Sequence, residues 1–74
     1  MFSKELFSSR IKELRKEKRI NQMDLAKLLN ITRTQVSDIE NGKTTTSLER
    51  LCILAEHFDV SSDYLLGLSD DPKR

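Results

Sequence analysis

The sequence predicts an all-α domain of five helices, built around a helix-turn-helix at the second and third. Three observations carry this. Apolar residues recur at three and four positions, as in Phe7, Ile11 and Leu14 or in Leu51, Leu54, Ala55 and Phe58, which is helical and not strand spacing. Polar residues of the N-capping type stand ahead of these stripes. From Gln22 to Gly42 two short helical patterns are separated by only a few residues, the layout of a helix-turn-helix.

Taken in order, Ser3 is placed to cap a first helix running to about Lys18, with Phe7, Ile11 and Leu14 on its core stripe. Arg10, Lys12, Arg15, Lys16, Lys18 and Arg19, interleaved with Glu13 and Glu17, read as its solvated outer face, where each Glu-Lys pair is worth about 0.2–0.5 kcal/mol. Asn21 caps the second helix, and Asp24 completes an acidic capping box. Leu25, Ala26, Leu28 and Leu29 share its apolar face. Asn30 suits the left-handed conformation that closes a helix, and Ile31, apolar where a loop is ordinarily polar, plugs the corner.

Thr32 and Gln35 form a second capping box, so a third helix starts here; it runs to Asn41 and stops at Gly42. Only Val36 and Ile39 in it are apolar, enough to pin one side to a core. Arg33, Thr34, Ser37 and Asp38 crowd the other side near the N-terminal end, where the helix dipole is positive. Such a face suits a DNA major groove. Arg33 leads for base contact because its fork matches O6 and N7 of guanine. Thr34 suits a thymine methyl or a phosphate, and Ser37 is short enough to lie against bases. Asp38 is tolerated there only where it accepts from cytosine N4 or adenine N6, or orients Arg33.

After the polar loop Lys43-Thr44-Thr45-Thr46-Ser47, Ser47 caps a fourth helix from Leu48 to about Phe58, with Ile53 off its core stripe. Val60 staples the next connection, and Ser61 caps a fifth helix whose Tyr64, Leu65, Leu66 and Leu68 exceed what a terminal segment needs for its core. That surplus, with Ile53, reads as a dimer surface: Ile53, Tyr64, Leu65 and Leu68. Residues 1–68 then form the helix-turn-helix domain, and 69–74 a flexible tail or the start of a linker.

Gln22, Leu25-Ala26, the Ile31-Thr32 corner, Val36 and the run Ile39-Glu40-Asn41-Gly42-Lys43 resemble the helix-turn-helix of the lambda-repressor-like family (Cro/C1, xenobiotic-response-element type). The family includes phage repressors, Cro proteins and many small bacterial regulators. The resemblance extends from about Phe7 to Leu66; Asn30 departs from it, standing where the family usually has glycine. It implies a five-helix lambda-repressor-like domain that regulates transcription on double-stranded DNA, by base rate a repressor. It further implies an Arg15 to Glu40 bridge, with Arg15 also near a phosphate. Gln22 is implied to touch the DNA backbone and brace Arg33, and Asn41, Lys43 and Thr44 to meet phosphates. Small members often pair through the fifth-helix region, which implies a homodimer, at least on DNA. Its operator is then a near-palindrome with half-sites about 10 base pairs apart.

Composition narrows the classes. Seventy-four residues make one domain, and a chain this short buries only about 60% of its unfolded surface. Net charge is +1, but residues 1–50 hold eleven Lys or Arg against seven Asp or Glu, and 51–74 two against five. One face is thereby suited to phosphate and the other is not. The single Cys52 excludes an internal disulfide and falls in an apolar helical pattern, so it reads as a small core or half-buried residue. With no signal peptide or long apolar run, the chain is expected in the cytoplasm with no membrane contact, and the resemblance implies a bacterial or phage-derived, nucleoid-associated protein. His57 has no partner at metal-ligand spacing, no cofactor motif is visible, and Asp24, Asp38, Glu40 and His57 form no acid-base pair, so neither metal, cofactor nor enzyme activity is expected. The alternative is a protein-interaction module on the same fold, such as an antitoxin or adapter.

Overall fold

Five hydroxyl or amide side chains set the starts of five helices. In the computed structural model, which describes Met1–Arg74, these are α1 (Lys4–Glu17), α2 (Gln22–Leu29), α3 (Arg33–Glu40), α4 (Leu48–Phe58) and α5 (Ser62–Leu66). Ser3, Asn21, Thr32, Ser47 and Ser61 each accept a hydrogen bond from the backbone N–H three residues on. Asn21 with Asp24 and Thr32 with Gln35 close reciprocal boxes. Such a cap contributes about 1 kcal/mol, so the starts are fixed locally.

The ends share a second device. Arg19, Asn30, Gly42, Asp59 and Gly67 are left-handed, with φ between 54° and 78°. In each case the next residue reaches back: Ile20 N–H to the Arg15 carbonyl, Ile31 to Ala26, Lys43 to Asp38, Val60 to Ala55 and Leu68 to Asp63. Carbonyls left over at each helix end are thereby satisfied within the turn. Ile31 and Val60 also bring apolar side chains back to the core, Val60 buried and Ile31 half-buried against it. Gly67 has a further reason to lack a side chain, since a Cβ there would lie 3.0 Å from the Ser3 Cβ.

The core is one cluster. Phe7 and Ile11 of α1, Leu25, Ala26 and Leu29 of α2, Val36 and Ile39 of α3, and the Leu51, Leu54, Ala55 and Phe58 stripe of α4 meet Val60 and Leu65. α2 packs on α3, α1 on both α3 and α5, and α4 on α5. α3 is therefore held from two sides by neighbours and left open on its outer side.

Four features differ from the sequence reading. Leu65 is fully buried, so it fills the core and is removed from the candidate dimer surface. Cys52 is exposed, because it lies one residue, or about 100° of helix, off the core stripe at Leu51. Arg10, placed above on the solvated face of α1, is 8% exposed. Its Nη1 donates to the Tyr64 and Ser69 carbonyls, its Nη2 to Asp70, and its guanidinium lies 4.1 Å from the Tyr64 ring centroid. The tail consequently returns to the domain: besides the Arg10 bonds, the Ser61 N–H donates to the Pro72 carbonyl at 2.9 Å.

Candidate nucleic-acid interface

The outer side of α3 carries the side chains of interest. Val36 and Ile39 are buried and seat the helix, while Arg33 and Thr34 are exposed and Ser37 and Asp38 half-buried beside them. At 100° per residue these four span an arc of about 140° beginning at the capped N-terminus. None is used up by the core. Gln35 is exposed on the same turn, but its Oε1 accepts from the Thr32 N–H at 2.9 Å and so serves the cap.

Behind α3 lies a chain of polar contacts. Glu40, whose side chain is 1% exposed, accepts from Arg15 Nε at 2.6 Å and Nη2 at 3.0 Å, a bidentate fork joining α1 to α3. Arg15 Nη1 donates to the Ile20 carbonyl, so the same guanidinium also holds the turn after α1. Glu40 Oε1 accepts a third bond from Gln22 Nε2 at 3.2 Å, and Gln22 Oε1 accepts from Arg33 Nη1 at 3.3 Å. No buried side-chain nitrogen or oxygen is left without a partner, as a low-dielectric network requires. Of the two roles given to Arg15, its geometry supplies the bridge. With its side chain 11% exposed and all three nitrogens engaged, it is not oriented to meet a phosphate.

The loop after α3 is fixed to it from below. The Asp38 carbonyl accepts from the N–H groups of both Lys43 and Thr44, and Asn41 Nδ2 donates to Ser37 Oγ at 3.3 Å. Asn41, Lys43 and Thr44 are exposed beyond the C-terminal end of α3. Lys4 was not among the candidates, yet its Nζ lies 3.5 Å from the Lys43 carbonyl. It adds a cation from α1 to this loop, and nothing local in the sequence marks it, since the partner is 39 residues away. Arg50 donates from Nε to the Leu29 carbonyl at 3.0 Å and braces the corner of the helix-turn-helix from α4. Of the remaining dimer candidates, Ile53 and Leu68 are exposed, whereas Tyr64 is half-buried under Arg10. No group of three His, Cys, Asp or Glu side chains is arranged to hold a metal ion, and no helix is long and apolar enough to cross a membrane.

Known proteins share this arrangement. Residues 11–65 match the protein-family model described as Helix-turn-helix. An uncharacterized HTH-type transcriptional regulator of Bacillus subtilis, YobD, is 36% identical over 67 residues, covering 90% of this chain and 60% of its own length. The chain therefore spans less than two thirds of that relative. Among solved structures, the P22 c2 repressor in complex with a synthetic operator superposes with a TM-score of 0.76 at 33% identity, covering 82% of this chain and 92% of that one. The restriction-modification controller protein C.AhdI of Aeromonas hydrophila gives a TM-score of 0.72 at 32% identity, covering 84% and 94%. With its capped second and third helices, its αL corner at Asn30 and a core shared by all five helices, the chain belongs to the lambda-repressor-like (Cro/C1-type) helix-turn-helix family.

Proposed function

We propose that this chain is a sequence-specific double-stranded DNA-binding transcriptional regulator, acting as a repressor in the cytoplasm, with α3 in the major groove. The observation that carries it is the outward face of α3, where Arg33 and Thr34 are exposed on a helix seated by Val36, Ile39 and Glu40. Arg33, Thr34, Ser37 and Asp38 read base edges in this scheme. Gln22 at one end of the helix-turn-helix and Asn41, Lys43 and Thr44 at the other clamp phosphates, which positions without specifying. Lys4 joins the second group. The P22 c2 repressor, solved on an operator, supports the same docking here. Ile53 and Leu68 are the surface through which two copies would meet, and dimers of this motif read half-sites about one turn of DNA apart.

The polar face of α3 has no apolar residue to anchor a protein partner, which favours DNA over the interaction-module alternative. Arg33→Ala and Lys43→Ala separate the two kinds of contact. Arg33→Ala is expected to cost about 1–3 kcal/mol on the selected duplex and to relax preference at one base pair. Lys43→Ala should weaken all duplexes alike and lower the salt slope by about 1. Titrations on selected and random duplexes check both, and equal losses on the two for Arg33→Ala would refute its assignment.

A further inference from the structure

We infer that Glu40, a residue out of reach of DNA, is a positioning residue for base readout, because it dictates which end of the Gln22 amide faces Arg33. This rests on α3 reading DNA as proposed above. What each group can donate sets the order of the contacts. The Glu40 carboxylate beside Arg15 offers acceptors only, and the Arg33 guanidinium offers donors only. Gln22 lies between them, with Nε2 3.2 Å from Glu40 Oε1 and Oε1 3.3 Å from Arg33 Nη1.

An amide can satisfy both neighbours in one orientation alone. Turned over, its NH2 would meet the donors of Arg33 and its oxygen would meet the carboxylate. Orientation of the Gln22 side chain is thus set from the buried side, where Glu40 is itself clamped by two bonds from Arg15. The consequence reaches the surface. An acceptor held at a fixed place beside the first residue of α3 tethers one nitrogen of an otherwise exposed arginine, and the rest of its fork stays available for a guanine edge. Ordering the side chain before binding lessens the entropy lost when it docks.

The relay makes base preference depend on a residue that reads no base. Gln22→Met removes the amide and leaves the Arg15–Glu40 fork in place. It is expected to lower discrimination at the base pair read by Arg33 by roughly tenfold, beyond any even loss of affinity from a missing phosphate contact. In an Arg33→Ala background the same change should take nothing further from that base pair. The double variant Gln22→Glu with Glu40→Gln reverses the bond between the two side chains and still leaves an acceptor beside Arg33. In it the amide at position 40 keeps its oxygen on Arg15 Nε and turns its NH2 to the carboxylate at position 22, whose second oxygen faces Arg33, while Arg15 Nη2, which shared Glu40 Oε1 with Gln22, loses its acceptor. Base preference should survive in this variant, with affinity lowered evenly by the added negative charge near the backbone.

The test is competition binding on duplexes varied at every position of the selected site, with melting curves for each variant. A Gln22→Met protein that keeps the parent's preference at every base pair overturns the relay. So do losses from Gln22→Met and Arg33→Ala that add at that base pair, or a folded double variant that discriminates no better than Gln22→Met. If the double variant melts early, Glu40→Asp decides: it keeps a counter-charge for Arg15 but draws the acceptor back from Gln22 Nε2, and a folded Glu40→Asp protein that keeps the parent's base preference overturns the role of Glu40. A parent protein with no sequence preference is a separate result, seen before any variant is made, and removes the DNA-reading proposal together with the relay.

Discussion

Glu40→Ala is expected to lower the stability of the folded domain by about 3–5 kcal/mol. The carboxylate is 1% exposed and receives three hydrogen bonds, two from Arg15 and one from Gln22. Removing it leaves the Arg15 guanidinium, 11% exposed, without its counter-charge and the Gln22 amide without its acceptor. The loss is that of an uncompensated buried charge and exceeds what the pair contributes against an apolar replacement. A paired Arg15→Met and Glu40→Leu change should therefore recover much of the stability. In a domain of this length, whose total is of order 5–10 kcal/mol, the single change should bring the urea midpoint down by a third or more. A drop under about 1 kcal/mol would show that the fork is dispensable.

The second large effect is at Arg10, where Arg10→Ala should cost about 3 kcal/mol. Its guanidinium holds the Tyr64 and Ser69 carbonyls and covers the Tyr64 ring. The Asp70 partner contributes little of this, since its side chain is 99% exposed and water screens the pair. Asp70→Asn should accordingly change stability by less than about 0.5 kcal/mol. Hydrogen exchange supplies the second readout. With Arg10 gone the tail is released, and the Ser61 N–H, bonded to the Pro72 carbonyl, should exchange faster than amides in the middle of α4. Unchanged protection at Ser61 would mean that something other than Arg10 holds the tail.

The contrast between these two arginines shows what was legible in the sequence. Caps and apolar stripes are local: Thr32 finds Gln35 three residues on, and Leu51 finds Leu54 and Ala55. The helix starts and the core of α4 could therefore be read directly. Arg15 was legible only through the family resemblance, whose pattern pairs it with Glu40. Arg10 sits in the same run of charges, and its partners are carbonyls 54 and 59 residues away, groups that every residue type carries. Its spacing, three residues after Phe7 and four before Leu14, sets it on the flank of the core stripe and not opposite it like Lys12 and Lys16, but nothing in the sequence names the carbonyls it meets. Leu65 failed for a related reason. An apolar terminal helix has more apolar residues than its core needs, and only the approach of α1 and α4 shows which of them are covered.

The candidate site divides the same way. Its outer residues follow from the helical wheel of α3, because Val36 and Ile39 must turn inward. What lies behind it does not. The orientation of Gln22 depends on Glu40, 18 residues on, and Lys4 reaches the Lys43 carbonyl only once α1 is docked. The left-handed Arg19 was equally hidden, since arginine has no preference for that conformation and the turn adopts it to return the Ile20 N–H to the Arg15 carbonyl.

Selection of bound duplexes from a random pool at two salt concentrations puts the proposed role of α3 to the most direct trial. Enrichment of a near-palindrome with half-sites about 10 base pairs apart is predicted. Its advantage over random duplex should persist as added salt weakens both. A pool that stays random at both salts, or binding that salt abolishes equally for every duplex, would contradict the reading of bases by Arg33 and its neighbours.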